Sequence, residues 1–202
     1  MLPIIVCSIG SPSLAIFEAS VEAYAPNTTL IVHKVARSTF GESYNKALAT
    51  AFTDYDEVLI ANDDIVLTPD TLRLLEEDID TLKKSHKLGL VGVRSDNVRL
   101  FQDIRYQPEY RNLVRRVSLV SPILSYISKE AFEVSQFPPI NYWSDDVICR
   151  DLTYAGFEHF ISRSYVHHAG SRSIGTDINK FEEEDLPWIV ENRPQYIDLM
   201  RY

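Results

Sequence analysis

Residues 58–70 read VLIANDDIVLTPD, and this stretch decides how the rest of the chain is interpreted. An apolar run, residues 58–61, leads directly into Asn62, Asp63 and Asp64 before a second apolar run begins. Adjacent carboxylates repel each other, and burying either of them without a partner costs several kcal/mol. We therefore expect a positively charged partner at this point of the fold.

Short apolar runs alternate along the chain with patterns of helical spacing. This alternation is typical of a single α/β domain with a mainly parallel, mixed central sheet flanked by helices. The strands are predicted at residues 2–9, 29–35, 57–61, 88–93, 117–127 and 160–168. The helices are predicted at residues 17–24, 42–52 and 144–154, with a further helix that has Thr68 as N-cap and Pro69 in its first turn.

Two further segments are set apart by their composition. Residues 99–116 mix Arg, Tyr and Gln without apolar periodicity, and we predict a long loop that carries functional side chains. Residues 176–202 are acidic and are predicted to form a C-terminal extension that packs on the main domain, residues 1–175.

The totals limit the class of protein. The chain has 202 residues, 45% of them hydrophobic, which is enough for one compact domain. A net charge of −9 argues against nucleic-acid binding, which normally needs a basic face. Cys7 and Cys149 are too few for a disulfide framework or an all-protein zinc site, so a reducing, cytoplasmic location is expected. Residues 2–7 are too short for a signal peptide, and no run approaches the ~20 apolar residues of a membrane span.

The triplet Asn62-Asp63-Asp64 follows a predicted strand, and ligands of open parallel sheets bind at the carboxyl ends of the strands. Hard divalent cations such as Mg²⁺ and Mn²⁺ bind carboxylate oxygens and bridge to phosphates of the substrate. The triplet is therefore a candidate metal and nucleotide-diphosphate site. The alternative is an ordinary acidic turn.

A second acidic pair, Asp145-Asp146, follows Ser144 at the start of a predicted helix. Ser144 is a good N-cap, and acidic residues in a first turn stabilise the helix dipole, so a structural role alone explains this pattern. The functional alternative is that one of the two aspartates acts as a general base on a hydroxyl nucleophile.

Two consecutive histidines, His167 and His168, end the last predicted strand. Neighbouring side chains of a strand point to opposite faces, so at most one of them is expected to share a site with Asp64. Imidazole suits Mn²⁺ better than Mg²⁺ as a ligand.

The order of these features resembles that of inverting glycosyltransferases of the GT-A fold, family-2 type. ANDDIVLTPDTL is similar to their DXD region, and SPILSYISKEAFEVSQFPPINYWSDDVICRDLTYAGF is similar to the block that carries their catalytic base. SYVHHAGSRS is similar to their downstream histidine motif, and TFGESYNKALATA is similar to the helix start that lies under the donor. The resemblance extends over residues 2–173 and implies a GT-A-like, Rossmann-like domain.

The resemblance also implies a role for each matching residue. Asp64 and His168 would bind Mn²⁺ or Mg²⁺, and His168 fits the motif better than His167. Asp145 falls on the position of the base, with Asp146 beside it. The expected substrates are a nucleotide-diphosphate sugar donor and a glycan or other hydroxyl acceptor, with inversion at the anomeric carbon. Residues expected to bind the donor are Arg37, Asn45, Asn62 and Asp63, and residues expected to bind the acceptor or the diphosphate are Arg99, Arg105, Trp143 and Arg172.

Two other functions remain open at this point. The first is a non-catalytic nucleotide-sugar-binding module on the same fold. The second is a nucleotidyltransferase, which also places a carboxylate and Mg²⁺ at a strand end but would favour a glycine-rich, basic loop after the first strand. Residues 10–13, GSPS, lack that basic residue. The nucleotidyltransferase therefore ranks third, and the glycosyltransferase is the preferred interpretation.

Overall fold

The computed structural model describes residues 1–36, 38–99, 101–169 and 178–197, with the backbone alone for residues 178–182. The strands in these ranges are β1 Ile4–Ser8, β2 Leu30–Lys34, β3 Glu57–Ala61, β4 Ile65–Val66, β5 Leu88–Ser95, β6 Arg115–Val117, β7 Leu124–Ser128 and β8 Glu158–His168. The helices are α1 Pro12–Tyr24, α2 Phe40–Ala51, α3 Thr71–Leu82, α4 Lys129–Val134, α5 Ser144–Tyr154 and α6 Ile178–Asn192.

The strands form one mixed sheet in the order β2-β1-β3-β7-β5-β8-β4, with β6 paired to β8. Among the described strands, β1, β2, β3, β5 and β8 run in one direction, and β4, β6 and β7 run against them. The predicted α/β class with a mixed, mostly parallel central sheet is confirmed. The carboxyl ends of β1, β3, β5 and β8 therefore meet at one edge of the sheet.

Alternating side chains of the strands pack into two hydrophobic cores, one on each face of the sheet. Ile4 and Leu59 pack with residues of α1 and α3 on one face, whereas Ile5 and Ile60 pack with residues of α2 and α5 on the other. This division follows from the two-residue period of a strand. The result is a three-layer arrangement in which the sheet lies between two layers of helices.

Several predicted boundaries differ from the observed ones, and the helix predicted at residues 17–24 begins earlier, at Pro12. The N-cap of α3 is Asp70 and not Thr68, because the first i→i+4 bond of the helix is accepted by the Asp70 carbonyl oxygen from the Leu74 N–H at 3.0 Å, whereas the Thr68 carbonyl oxygen accepts the Thr71 N–H in a preceding turn. The single strand predicted for residues 117–127 is divided between the end of β6 and the start of β7.

Two elements have the predicted bounds. β3 spans Glu57–Ala61 and α5 spans Ser144–Tyr154, at the residues predicted. Residues 99–116, predicted as a loop, contain a 3₁₀ turn at Pro108–Tyr110 and the first residues of β6. No helix in the described ranges is both long enough and apolar enough to cross a bilayer.

Candidate active site

Asp63 is held at the edge of the sheet by the loop that follows β1. Its Oδ2 atom accepts hydrogen bonds from the hydroxyls of Ser8 at 2.5 Å and Ser11 at 2.8 Å. Gly10, with φ +83°, makes the turn between the two serines, and its N–H donates to the Ser8 hydroxyl. β1 and β3 are parallel neighbours, so their carboxyl ends bring these groups together. The buried carboxylate of Asp63 is thus solvated by neutral hydroxyl groups.

Asp64 contacts His168 because a short antiparallel pair connects their backbones. Ile65 of β4 pairs with His168 of β8, and the Ala169 N–H donates to the Asp64 carbonyl oxygen at 2.9 Å. This register places the His168 Nε2 atom 3.2 Å from the Asp64 Oδ1 atom, and both side chains are buried. The structure therefore brings the predicted metal-binding residues Asp64 and His168 together.

The hydrogen bond of the other ring nitrogen of His168, Nδ1, determines which ring nitrogen is protonated. Nδ1 lies 2.6 Å from the carbonyl oxygen of Asn97, which can only accept, so Nδ1 must be the donor. Nε2 then faces Asp64 with either a second proton or a lone pair. Although close to Asp64, buried Nε2 makes no hydrogen bond of acceptable geometry within the described residues. Burial lowers the pKa of His168, but the contact with Asp64 outweighs burial, and the net pKa is raised.

This donor set fits a divalent cation. A metal-binding histidine usually donates its second ring N–H to a carbonyl or carboxylate oxygen, as His168 does to Asn97. The described residues contain no group of three or more His, Cys, Asp or Glu side chains able to hold a metal. A cation at Asp64 and His168 would therefore need ligands from substrate oxygens and water, as is usual for Mg²⁺.

His167 points away from this site. Its Nδ1 atom lies 2.6 Å from Asp96, and its side chain is exposed. The other carboxylate oxygen of Asp96 accepts the backbone N–H of His168 at 3.1 Å. Asp96 thus fixes the end of β8 and the opposite orientations of the two histidines.

The second acidic pair is bound by Arg99. The guanidinium makes two hydrogen bonds with Asp146, Nη1 to Oδ1 at 2.7 Å and Nη2 to Oδ2 at 2.6 Å. Nη2 also donates to Asp145 Oδ2 at 2.8 Å, and Nε donates to the Ser121 hydroxyl at 2.6 Å. Burial raises the pKa of Asp145, Arg99 opposes this effect, and the nearby charge of Asp146 adds to it, so that the net pKa is raised.

The start of α5 differs from the prediction. Ser144 is the first helical residue and donates its hydroxyl to the Pro138 carbonyl oxygen at 2.9 Å, whereas the N-cap is Trp143. Trp143 has φ +57°, a left-handed conformation that costs a non-glycine residue about 1–2 kcal/mol. Its indole is buried, and its Nε1 atom has no hydrogen-bond partner in the described part of the chain. The prediction of Ser144 as an N-cap is therefore wrong.

α6 supports the loop before this helix start. The Asp185 carboxylate accepts the backbone N–H groups of Tyr142 at 2.7 Å and Asn141 at 3.2 Å. Ile189 packs against Trp143 in a separate apolar cluster. The conformation from which Asp145 projects thus depends on the C-terminal helix.

The two acidic pairs are connected through a short backbone segment. The Asn62 N–H donates to the carbonyl oxygen of Ile123, and the Ile123 N–H donates to the carbonyl oxygen of Ser121, both at 2.9 Å. Ser121 in turn accepts from Arg99. The end of β3 and the Arg99 cluster therefore belong to one edge of the sheet.

The remaining predicted site residues are placed as follows. Asn45 exchanges two hydrogen bonds with the backbone of Phe137, at 2.7 and 3.0 Å, so in this structure its amide fixes a loop. Gly41 lies so close to that loop that a Cβ would meet the Pro138 carbonyl oxygen at 1.7 Å. Arg105 binds the Asp103 carboxylate at 2.6 Å. Predicted residues outside the described ranges are Arg37 and Arg172.

No protein-family model matches this sequence, and no curated protein sequence matches it either. Solved structures do match. The mannosyltransferase PcManGT from Pyrobaculum calidifontis, in complex with GDP-Man and Mn²⁺, matches with a TM-score of 0.57 and 14% identity, over 85% of this chain and 57% of that one. The fold is GT-A-like.

Two further structures agree. The TarS 1-349 structure from S. aureus matches with a TM-score of 0.54 and 14% identity, over 82% of this chain and 59% of that one. A protein from STIV matches with a TM-score of 0.56 and 12% identity, over 80% of this chain and 81% of that one. The chain thus spans less than two thirds of PcManGT and of the TarS structure. At these identities the matches show the fold.

Several residues of the site were not predicted from the sequence. Ser8 and Ser11 bind Asp63, and Ser121 binds Arg99, yet isolated serines carry no signal of their own. Asp96 and Asn97 directly follow β5, at the carboxyl edge where the sheet binds ligands. Their position after a predicted strand was the signal that would have identified them.

Proposed function

We propose that this protein transfers a sugar from a nucleotide-diphosphate donor to a hydroxyl acceptor, with inversion and with dependence on Mn²⁺ or Mg²⁺. The observation that carries the proposal is the contact of Asp64 with His168, whose buried Nε2 faces the carboxylate at the ligand-binding edge of a GT-A-like sheet. In this proposal the catalytic domain is residues 1–175, and residues 176–202 form an extension on it.

Asp64 Oδ1 and His168 Nε2 would hold the metal. When bound, the metal supplies electrostatic stabilisation of the negative charge on the departing diphosphate. Asn97 holds His168 in the tautomer that leaves Nε2 for a ligand, and the hydroxyls of Ser8 and Ser11 hold the Asp63 carboxylate in place beside it.

Asp145 would act as the general base. It takes the proton of the acceptor hydroxyl, whose oxygen forms the new bond to the anomeric carbon as the bond to the diphosphate breaks on the opposite side. This single displacement inverts the anomeric centre. Asp146, fully buried, holds Arg99, and Arg99 in turn orients the Asp145 carboxylate. Asp146 is thus a positioning residue in this mechanism.

A non-catalytic sugar-nucleotide-binding module is the second candidate, and one observation favours it. Arg99 donates to Asp145 Oδ2, and the backbone N–H of Asp146 donates to Oδ1, so both oxygens of the proposed base are engaged. A module of this kind would bind the donor and the metal without turnover. Product formation therefore distinguishes the two functions.

Binding is tested first, with GDP, UDP and their sugars as ligands, in the presence and absence of Mn²⁺. GDP-Man is the first probe because PcManGT was solved with it. We expect the melting temperature (Tm) to rise with nucleotide and Mn²⁺ together, since a ligand of the native state stabilises it. Asp64→Ala and His168→Ala should abolish the Mn²⁺-dependent part of the rise. His167→Ala is the matched control, because this neighbour is exposed and binds Asp96 instead.

Equal Mn²⁺-dependent binding in folded His168→Ala and His167→Ala proteins would contradict the proposed metal site. Transfer is then measured with candidate hydroxyl acceptors and the donor that binds. The configuration of the product, determined by NMR, decides whether the anomeric centre is inverted.

A further inference from the structure

Arg94, near the carboxyl end of β5, is buried, and none of the described residues provides it with a counter-ion. Its side chain is among the largest fully buried ones, with 1% of its surface exposed. Nη2 donates to the carbonyl oxygen of Leu113 at 2.9 Å, but Nε and Nη1 have no partner within the described residues. Desolvating a charged group without pairing it is strongly unfavourable. The guanidinium therefore has donors available for a further group.

The charges around Arg94 do not compensate it. The described residues give Arg94 no ion pair, and the charge that acts on its pKa is that of Arg115, which has the same sign. Burial first and Arg115 second lower the pKa of Arg94. A negatively charged group placed here would offset the free-energy cost of desolvating the Arg94 guanidinium. It would also reduce the repulsion between Arg94 and Arg115.

The cover over Arg94 is a segment with little regular structure. Leu113, whose carbonyl oxygen accepts from Arg94, has 54% of its side chain exposed, and Tyr106 has 63% exposed. Between them the regular structure is a single 3₁₀ turn, Pro108–Tyr110. Segments with few buried apolar contacts open at low free energy. Movement of the Leu113 peptide would both uncover the guanidinium and free its Nη2.

We propose that Arg94 is the cationic anchor of an oxyanion-binding subsite, which accepts a phosphate or carboxylate group when the backbone at Leu113 moves aside. The guanidinium presents two parallel N–H groups that match such an oxyanion. The oxyanion belongs either to the diphosphate of a donor or to an acidic group on an acceptor. The subsite itself does not depend on the proposed transfer reaction.

Inorganic phosphate is the probe, titrated at constant ionic strength into the full chain while Tm is recorded. Wild type should show a saturable rise, about 5–10 °C at a concentration one hundred times the dissociation constant. Arg94→Met, of similar volume and without charge, should melt at or above the wild-type Tm without phosphate and should not respond to phosphate. Arg116→Met on β6 is the matched control, because Arg116 is 67% exposed and should leave the response intact.

An equal phosphate response in wild type and Arg94→Met would overturn the proposal, as would a wild type that does not respond. If Arg94→Met fails to fold, hydrogen exchange of wild type replaces it. Phosphate must then change the protection of residues 105–114, and unchanged protection overturns the proposal.

A final arm separates the two sources of the oxyanion. Phosphate binding that persists at saturating nucleoside diphosphate assigns the subsite to an acidic acceptor group, whereas competition assigns it to the donor. Asp64→Ala should keep the phosphate response, so failure of the proposed metal site and failure of this subsite are distinguishable.

Discussion

The protein carries two pairs of adjacent aspartates, and the groups that face them differ in kind. Asp63 and Asp64 follow β3 and meet serine hydroxyls and an imidazole. Asp145 and Asp146 begin α5 and meet the guanidinium of Arg99. Hydroxyls are neutral and an imidazole titrates near neutral pH, whereas a guanidinium is always charged. The first pair is therefore suited to an exchangeable cation, and the second has a cation built into the protein.

The largest effect should come from removing the proposed base, Asp145, in the second pair. Asp145→Asn keeps the shape of the side chain but cannot accept a proton, so transfer should fall by about 10²–10⁴. Binding of donor and Mn²⁺ should persist because their proposed site is at the first pair. Isothermal titration and product assays on the same preparation check this prediction. Equal loss of binding would show that the two pairs do not have separate roles.

Removing the built-in cation should cost stability. Arg99→Met leaves buried Asp146 without its partner, and the free energy of unfolding should fall by about 3 kcal/mol. This value is near the lower limit for broken buried pairs because the Arg99 side chain is 22% exposed. Chemical denaturation measures this change. The control is Arg73→Met, whose pairs with Asp70 and Glu77 are exposed and should contribute much less to stability. Similar losses in both variants would mean that the Arg99 cluster is solvated like a surface pair.

The corresponding change in the first pair should be smaller. Asp63→Asn keeps an oxygen acceptor for Ser8 and Ser11 and loses only the charge, so we expect a loss of about 1 kcal/mol. Denaturation is again the measurement, with exposed Asp70→Asn as control. A loss larger than that of Arg99→Met would imply that Asp63 faces a full positive charge.

The smallest expected effect is the contribution of His168, the partner of Asp64, to the pH dependence of stability. The folded pKa of His168 is raised above its unfolded value, so its contact with Asp64 stabilises the metal-free protein fully below about pH 6.5. This contribution is lost as the pH rises through the folded pKa. Unfolding of wild type and His168→Gln, compared between pH 5 and 8 in chelator, isolates it. A constant difference across that range would contradict the raised pKa.

The ends of β3 and α5 could be predicted from the sequence because their signals are local. An apolar run that stops at Asn62, and a helical pattern that begins at Ser144, each lie within a dozen residues. The orientations of His167 and His168 followed from the alternation of a strand. The metal role of His168 stays a prediction, as do the other assigned roles.

The contacts that define the chemistry could not be predicted, since they join distant segments. Arg99 reaches Asp145 and Asp146 across 46 and 47 residues, from a segment without apolar periodicity. Ser8 reaches Asp63 across 55 residues. The resemblance assigned Asn45 to donor binding, which stays a prediction, and gave no sign of its observed partner, Phe137, 92 residues away. Pairing between loops depends on the assembled sheet, and no local pattern encodes it.

Asp185 supports the Asn141–Tyr142 backbone but is synthesised after the strands of the sheet, and this sets an order of assembly during synthesis. Chains emerge from the ribosome with the N-terminal part first, at about 5–20 residues per second. All strands of the sheet precede α6 in the chain, so the sheet and the Asp64 edge can form while Asp185 is still being synthesised. Asp185 follows His168 by 17 residues, so the loop that orients Asp145 gains its anchor about 1–3 seconds after the Asp64 edge is complete. On a nascent chain, the proposed metal binding should therefore precede the proposed transfer.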